Sequence, residues 1–167
     1  MDATDKALFT GNKLQLYLYA SAIEDKQPAG LYYLPISDDF SLSGAEKSSL
    51  AVGKTLNDID VLKAQDNTVL QDTVGEFTGI KVENGEIKKA TDKDTLNAFI
   101  EYAKKISEKA VKQIDDGVIV ASPYKNACTY CAFKGMCNQV NVEEREVGAV
   151  SEQTVFTAVK GEEECPN

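Results

Sequence analysis

GNKLQLYLYASAIEDKQPAGLYYLPI, residues Gly11 to Ile36, decides how this chain is read. Lys13 to Asp25 contains neither Gly nor Pro and is apolar almost all round, which predicts a helix buried on most sides. The alternation in LQLYLY also fits a period of two, but the length of the segment favours a helix. Gly11-Asn12 makes an opening turn, and Gln27-Pro28-Ala29-Gly30 ends the helix because Pro and Gly resist continuation. LYYLPI, Leu31 to Ile36, is aromatic and aliphatic and reads as a strand. Pro35 has no N–H, so that strand lies at an edge or stops there.

Further along, Ser37 to Ser49 reads as polar loop. Ala51 to Thr73 is ambiguous, with short helices expected around Asn57 to Ala64 and Thr68 to Asp72. Phe77 to Val82 and Glu86 to Lys88 flank Asn84-Gly85, a turn in which both residues accept positive φ, and so predict a hairpin. Thr91 to Asp116 is the clearest helix. Leu96, Phe99, Ile100, Ala103, Ile106, Ala110, Val111 and Ile114 recur at spacings of three and four and form one apolar stripe. Thr91 is the expected cap, with Asp94 three residues on, and Gly117 the expected stop. Val118 to Ala121 reads as a short strand. From about Val140 the chain is acidic, with Glu143, Glu144, Glu146, Glu152, Glu162, Glu163 and Glu164, and reads as a loosely held tail. The expected division is residues 1–138 as one domain portion and 139–167 as tail.

With 167 residues the chain can bury one real core. Its net charge of −9 argues against a nonspecific nucleic-acid binder with a basic footprint, but leaves room for a local basic groove. No apolar run is long enough to span a membrane. The polar, acidic start, MDATDKALFT, is unlike a secretory signal. The expected compartment is therefore the cytoplasm, where thiols stay reduced and clustered cysteines read first as metal ligands.

Cys128, Cys131 and Cys137 stand in the spacing C-x2-C-x5-C, and the chain has no histidine. Thiolates select zinc or iron–sulfur clusters, and spacing alone does not separate the two. Either centre prefers four ligands. Cys165, 28 residues after Cys137, is the remaining thiol. The plain alternative is three thiols without metal. On the first helix, Gln15 and Tyr19 are four apart and share a face. They are either a core glutamine with a packing tyrosine or a polar pair in a cleft, where an amide and a phenol can meet a phosphate or a base. Other features are weaker. Gly53-Lys54-Thr55 resembles the end of a phosphate loop, but Ser48 stands where the upstream glycine belongs, and the stretch reads as a loop. Lys104, Lys105, Lys109 and Lys112 read as a solvated helix face, and Asp38-Asp39 and Asp115-Asp116 as turn and cap residues.

Taken in order, GNKLQLYLYA, GLYYLPI and DDGVIVASPYKNACTYCAFKGMC resemble the C-terminal end of the deoxyribonuclease B subunit of AddAB-type helicase–nucleases. These are RecB-like members of the PD-(D/E)xK nuclease superfamily. The resemblance covers residues 8 to 138. It implies an α/β fold: a partial restriction-endonuclease-like domain with a cysteine-rich C-terminal cap. It implies that Cys128, Cys131 and Cys137 are three of the four ligands of a [4Fe–4S] cluster, the fourth lying far upstream. It implies that Gln15 and Tyr19 belong to a Q-x-x-x-Y motif lining the active site beside DNA. The implied reaction is Mg²⁺-dependent hydrolysis of single-stranded DNA in double-strand-break repair by recombination, with a helicase partner subunit.

One departure stands out. In the family the metal-binding Asp and the D-x-K strand precede the Q-x-x-x-Y helix, and only 12 residues precede Lys13 here. Asp2 and Asp5-Lys6 do not fit, because they lie in no apolar strand. The chain therefore reads as a nuclease fragment, inactive by itself and completed by an upstream part of the same nuclease. A small non-enzymatic zinc- or cluster-binding module is the alternative of a different class. A cluster-containing nuclease of the CRISPR-adaptation type shares the same cysteine pattern.

Overall fold

The computed structural model describes residues 3–23, 25–34, 51–69, 72–88, 90–125, 127–129, 131–137, 144–146, 148 and 150–160. In chain order the elements are α1 (Ala3–Phe9), α2 (Gln15–Ser21), β1 (Gly30–Tyr33), β2 (Val52–Leu56), α3 (Ile59–Gln65), β3 (Val82–Glu83), β4 (Glu86–Ile87), β5 (Ala90–Thr91), α4 (Lys93–Asp115) and α5 (Glu152–Lys160). The chain divides into two compact units, one of residues 15–100 and one of residues 1–14 with 101–167. All five strands lie in the unit 15–100, among helices, in keeping with the α/β reading.

In the unit 15–100, helix α2 is shorter than the expected Lys13–Asp25 and is not buried on most sides. Tyr17 and Ala20 are its buried residues, whereas Tyr19 and Ile23 are exposed. Three strands pair in the order β1-β2-β5. β1 runs antiparallel to β2, with Tyr32 opposite Gly53, and β2 runs parallel to β5, with Leu56 opposite Thr91. Among the described residues β1 is thus an edge strand, one of the two options Pro35 suggested; Pro35 itself and Ser37 to Ser49 lie outside the described residues. Gly53-Lys54-Thr55, expected to be a loop, sits in the central strand. The chains approach so closely there that a Cβ on Gly53 would lie 1.9 Å from the Leu31 carbonyl oxygen. Val52 and Thr55 favour strand while Gly53 and Lys54 do not, and strand pairing on both sides settles the segment as strand.

Asp58 caps α3 by accepting from the amides of Asp60 and Val61 at 2.9 and 3.1 Å. No helix forms over the described part of Thr68 to Asp72; Thr68 is instead tied to Asp66. The Asp66 carboxylate, only 4% exposed, accepts five hydrogen bonds. Thr68 contributes its amide and hydroxyl at 3.1 and 2.5 Å. Phe77 contributes its amide at 3.0 Å, and Thr78 its amide and hydroxyl at 2.9 and 3.0 Å. Burial pushes its pKa up, but the bonds from Thr68 and Thr78 outweigh burial and lower it to about 2. Beside this hub, Leu62, Val69, Ile80 and Val82 form a small core, with Tyr32 and Ile87 packed on it.

The hairpin turns at Asn84-Gly85, both at positive φ (52° and 79°), as the sequence indicated. Its strands are two residues each, shorter than expected. Asp92, not Thr91, caps α4: its carboxylate accepts from the Thr95 amide at 2.8 Å and hydroxyl at 2.6 Å. Thr91 is held in β5 instead. Tyr17 stacks on Phe99 at 6.0 Å, and Lys54 Nζ stands 4.7 Å over the Phe99 ring.

In the other unit, Tyr102 on α4 stacks on Phe9 of α1 at 5.3 Å and donates to the Phe9 carbonyl at 2.9 Å. Tyr102 is fully buried although it lies beside the expected stripe. The end of that stripe is not buried: Val111 and Ile114 are exposed. Gly117, at φ +71°, closes α4 with bonds from its own amide to Ile114 and from the Val118 amide to Gln113. Val118 to Ala121 forms no strand. The loose-tail expectation is corrected over Glu152–Lys160, which forms α5 with Val155 and Ala158 buried. Ser151 caps it reciprocally with Thr154, and Lys105 Nζ donates to the Val159 carbonyl.

Candidate active-site helix and cysteine loop

Gln15 is the first residue of α2, and Tyr19 follows one turn later. The Gln15 side-chain amide donates to the Tyr19 hydroxyl at 2.5 Å. Gln15 is exposed, and Tyr19 is 63% exposed. The core-glutamine alternative therefore does not hold. The buried face of the helix is carried by Tyr17 and Ala20, about a quarter-turn to a half-turn away. In this arrangement the Tyr19 hydroxyl accepts one bond and keeps its own proton to donate. The Gln15 carbonyl oxygen keeps its lone pairs. An exposed acceptor and an exposed donor thus stand side by side, a pairing suited to a phosphodiester or a base edge.

Cys128, Cys131 and Cys137 are all free and exposed. They lie in consecutive turns. The Cys131 amide donates to the Cys128 carbonyl at 3.5 Å, the Lys134 amide to Cys131 at 3.2 Å, and the Cys137 amide to Phe133 at 2.8 Å. Among the described residues, no three His, Cys, Asp or Glu side chains stand where they could hold one ion. Cys165, Asp38 and Asp39 lie outside the described residues. Asp5 and Lys6 sit on helix α1, in no strand, as their sequence context indicated.

The base of the cysteine loop holds a residue the sequence reading passed over. Tyr124 forms a parallel bridge with Arg145. The Arg145 guanidinium lies 4.1 Å over the Tyr124 ring and donates to the Ser122 carbonyl from Nε at 2.9 Å and from Nη2 at 2.6 Å. A signal was present: the chain has 17 lysines and one arginine, and the arginine stands eight positions after Cys137. The Asp66 hub was likewise missed, because none of its partners is periodic in sequence.

The model of the PD-(D/E)XK nuclease superfamily matches residues 2–138. The chain belongs to that superfamily. The Gln15–Tyr19 pair and all three cysteines of the loop fall inside the matched stretch of this nuclease-family chain, and Arg145 and α5 fall beyond it. The chain is also 25% identical over 157 residues to the B subunit of the ATP-dependent helicase/deoxyribonuclease of Desulforudis audaxviator (strain MP104C), with 78% of the chain aligned. It is 25% identical over 157 residues to the protein of the same name from Bacillus subtilis (strain 168), with 81% of the chain aligned. The chain spans only 13% and 14% of the lengths of these two relatives.

Proposed function

We propose that this chain is the C-terminal portion of a DNA exonuclease domain in a helicase–nuclease that serves double-strand-break repair by recombination. The observation that carries the reading is the exposed, mutually bonded Gln15–Tyr19 pair inside a stretch that matches a nuclease superfamily. On this reading the pair contacts the DNA strand at the active site, single-stranded DNA is the substrate, and a helicase partner subunit delivers it. The similarity to the B subunits of two helicase/deoxyribonucleases supports the partner and the substrate class.

Hydrolysis by this superfamily relies on Mg²⁺, which activates water and stabilises the leaving oxygen. The described residues do not fit that ion, since no carboxylate group is assembled to hold it. We assign those ligands to another part of the domain and give this chain no step in activating water. The cysteine loop fits a thiolate-bound centre by the chemistry of its donors: three soft, free and exposed thiols lie within ten residues. Cys128, Cys131 and Cys137 would hold a [4Fe–4S] cluster together with a fourth cysteine, and such a centre would fix the C-terminal cap. The thiols are not yet converged on one position, so binding would have to draw them together.

The test is a chimera in which this chain replaces the corresponding stretch of the Bacillus subtilis relative, with its helicase partner present. Mg²⁺-dependent degradation of single-stranded DNA is expected. Gln15→Ala should slow it at least about tenfold, the scale on which lost positioning reduces catalysis. A chimera that folds and binds its partner but leaves DNA intact overturns the reading.

A further inference from the structure

The base of the cysteine loop is closed by two backbone hydrogen bonds, an ion pair and the Arg145 side chain. Residues 122–125 lead into the loop and residues 144–146 lead out of it. The Arg145 amide donates to the Pro123 carbonyl at 2.9 Å, and the Lys125 amide donates to the Arg145 carbonyl at 3.0 Å. The Arg145 side chain then folds back over Tyr124 and grips the Ser122 carbonyl with two donors. Lys125 and Glu146 add an ion pair at 2.5 Å. Both members of that pair are exposed, so it contributes little by itself.

The arginine carries the closure for two reasons. A backbone bridge this short does not hold two segments together unaided. A guanidinium can stack its flat face on an aromatic ring while its edge donates two charge-assisted bonds, and an ammonium cannot do both. The only arginine of the chain occupies this position. All three thiols lie between the two segments it joins. Holding the ends of the loop together limits the volume that the thiols explore, so less entropy is lost when a metal gathers them.

We propose that Arg145 is a positioning residue: it latches the base of the cysteine loop and so keeps Cys128, Cys131 and Cys137 within reach of a single metal centre. This rests on the metal-centre part of the proposed function. It does not come from the superfamily pattern, which ends at residue 138.

The experiment compares the purified 167-residue chain with its Arg145→Ala and Arg145→Lys variants. Amide hydrogen exchange at Lys125 and Arg145, in metal-free protein, reports the latch. Co²⁺ titration, followed by the cobalt–thiolate absorption band, reports the thiols. Far-UV circular dichroism confirms that each variant keeps its helices. Both variants should exchange faster at the two amides and bind Co²⁺ at least about tenfold more weakly, with lysine no better than alanine. Unchanged exchange, or full rescue by lysine, overturns the latch. Faster exchange with unchanged Co²⁺ binding overturns its positioning role. A wild-type chain with protected amides and no cobalt–thiolate band keeps the latch but removes the metal-centre reading, and with it the positioning role.

Discussion

The side-chain amide of Gln15 donates to the hydroxyl of Tyr19 across one turn of α2, at 2.5 Å and on an exposed face. An exposed bond of this kind adds little to stability. Gln15→Ala and Tyr19→Phe should each change unfolding free energy by less than about 0.5 kcal/mol. In the nuclease chimera the same changes should reduce DNA digestion at least about tenfold. Thermal denaturation beside single-turnover digestion checks both halves. Large losses of stability with full activity in the folded fraction would return the pair to a structural role.

Asp66 predicts an acid-labile loop. Its folded pKa of about 2 lies below the ordinary 3.8. A lowered carboxylate pKa stabilises the fold above the unfolded value, and the stabilisation is lost as pH falls through the folded value. The difference corresponds to about 2 kcal/mol. Asp66→Asn should destabilise by about 2–4 kcal/mol near neutral pH, because its amide meets donors instead of accepting from them. Urea denaturation should show the gap between wild type and variant closing between about pH 5 and about pH 2. A gap that stays constant with pH would sink this account.

Gly53→Ala should disrupt the β1–β2 pairing. Its Cβ would sit 1.9 Å from the Leu31 carbonyl oxygen and 2.8 Å from the Tyr32 Cα, both backbone atoms that cannot swing aside. The expected cost is about 3 kcal/mol or more, at the upper end of overpacking effects. Equilibrium denaturation of the variant measures it, and a loss below about 1 kcal/mol would mean that the strands can separate cheaply.

Tyr102→Phe removes the bond to the Phe9 carbonyl while keeping the stacked ring. The buried carbonyl loses this partner, so a loss of about 1–2 kcal/mol is expected. Tyr102→Leu should cost more, because it removes the stack as well. The two variants together separate the hydrogen bond from the ring contact.

The chain alone should leave single- and double-stranded DNA intact with Mg²⁺ or Mn²⁺. The reason is the lack of an assembled acidic site among the described residues. EDTA-sensitive digestion that survives repurification would contradict this.

Local rules made several features legible in the sequence. The three-and-four spacing of Leu96, Phe99 and Ala103 set the buried face of α4 near its start, Asn84-Gly85 set the hairpin turn, and the four-residue step from Gln15 to Tyr19 set their shared face. Each depends on residues a few positions apart, where backbone geometry alone decides what faces what. The close spacing of Cys128, Cys131 and Cys137 was legible for the same reason. Tertiary structure decided the rest. The strand at Val52–Leu56 is fixed by Gly30–Tyr33 and Ala90–Thr91, which flank it; Val52 and Thr55 favour strand, but Gly53 and Lys54 between them do not. The far end of the α4 stripe stays exposed, because periodicity marks which face is apolar and only packing determines whether that face is covered. The five bonds to Asp66 span up to 12 residues of chain, and Arg145 reaches back 23 residues to Ser122. No period in the sequence encodes such contacts, since they form only where the folded chain brings distant donors and acceptors together.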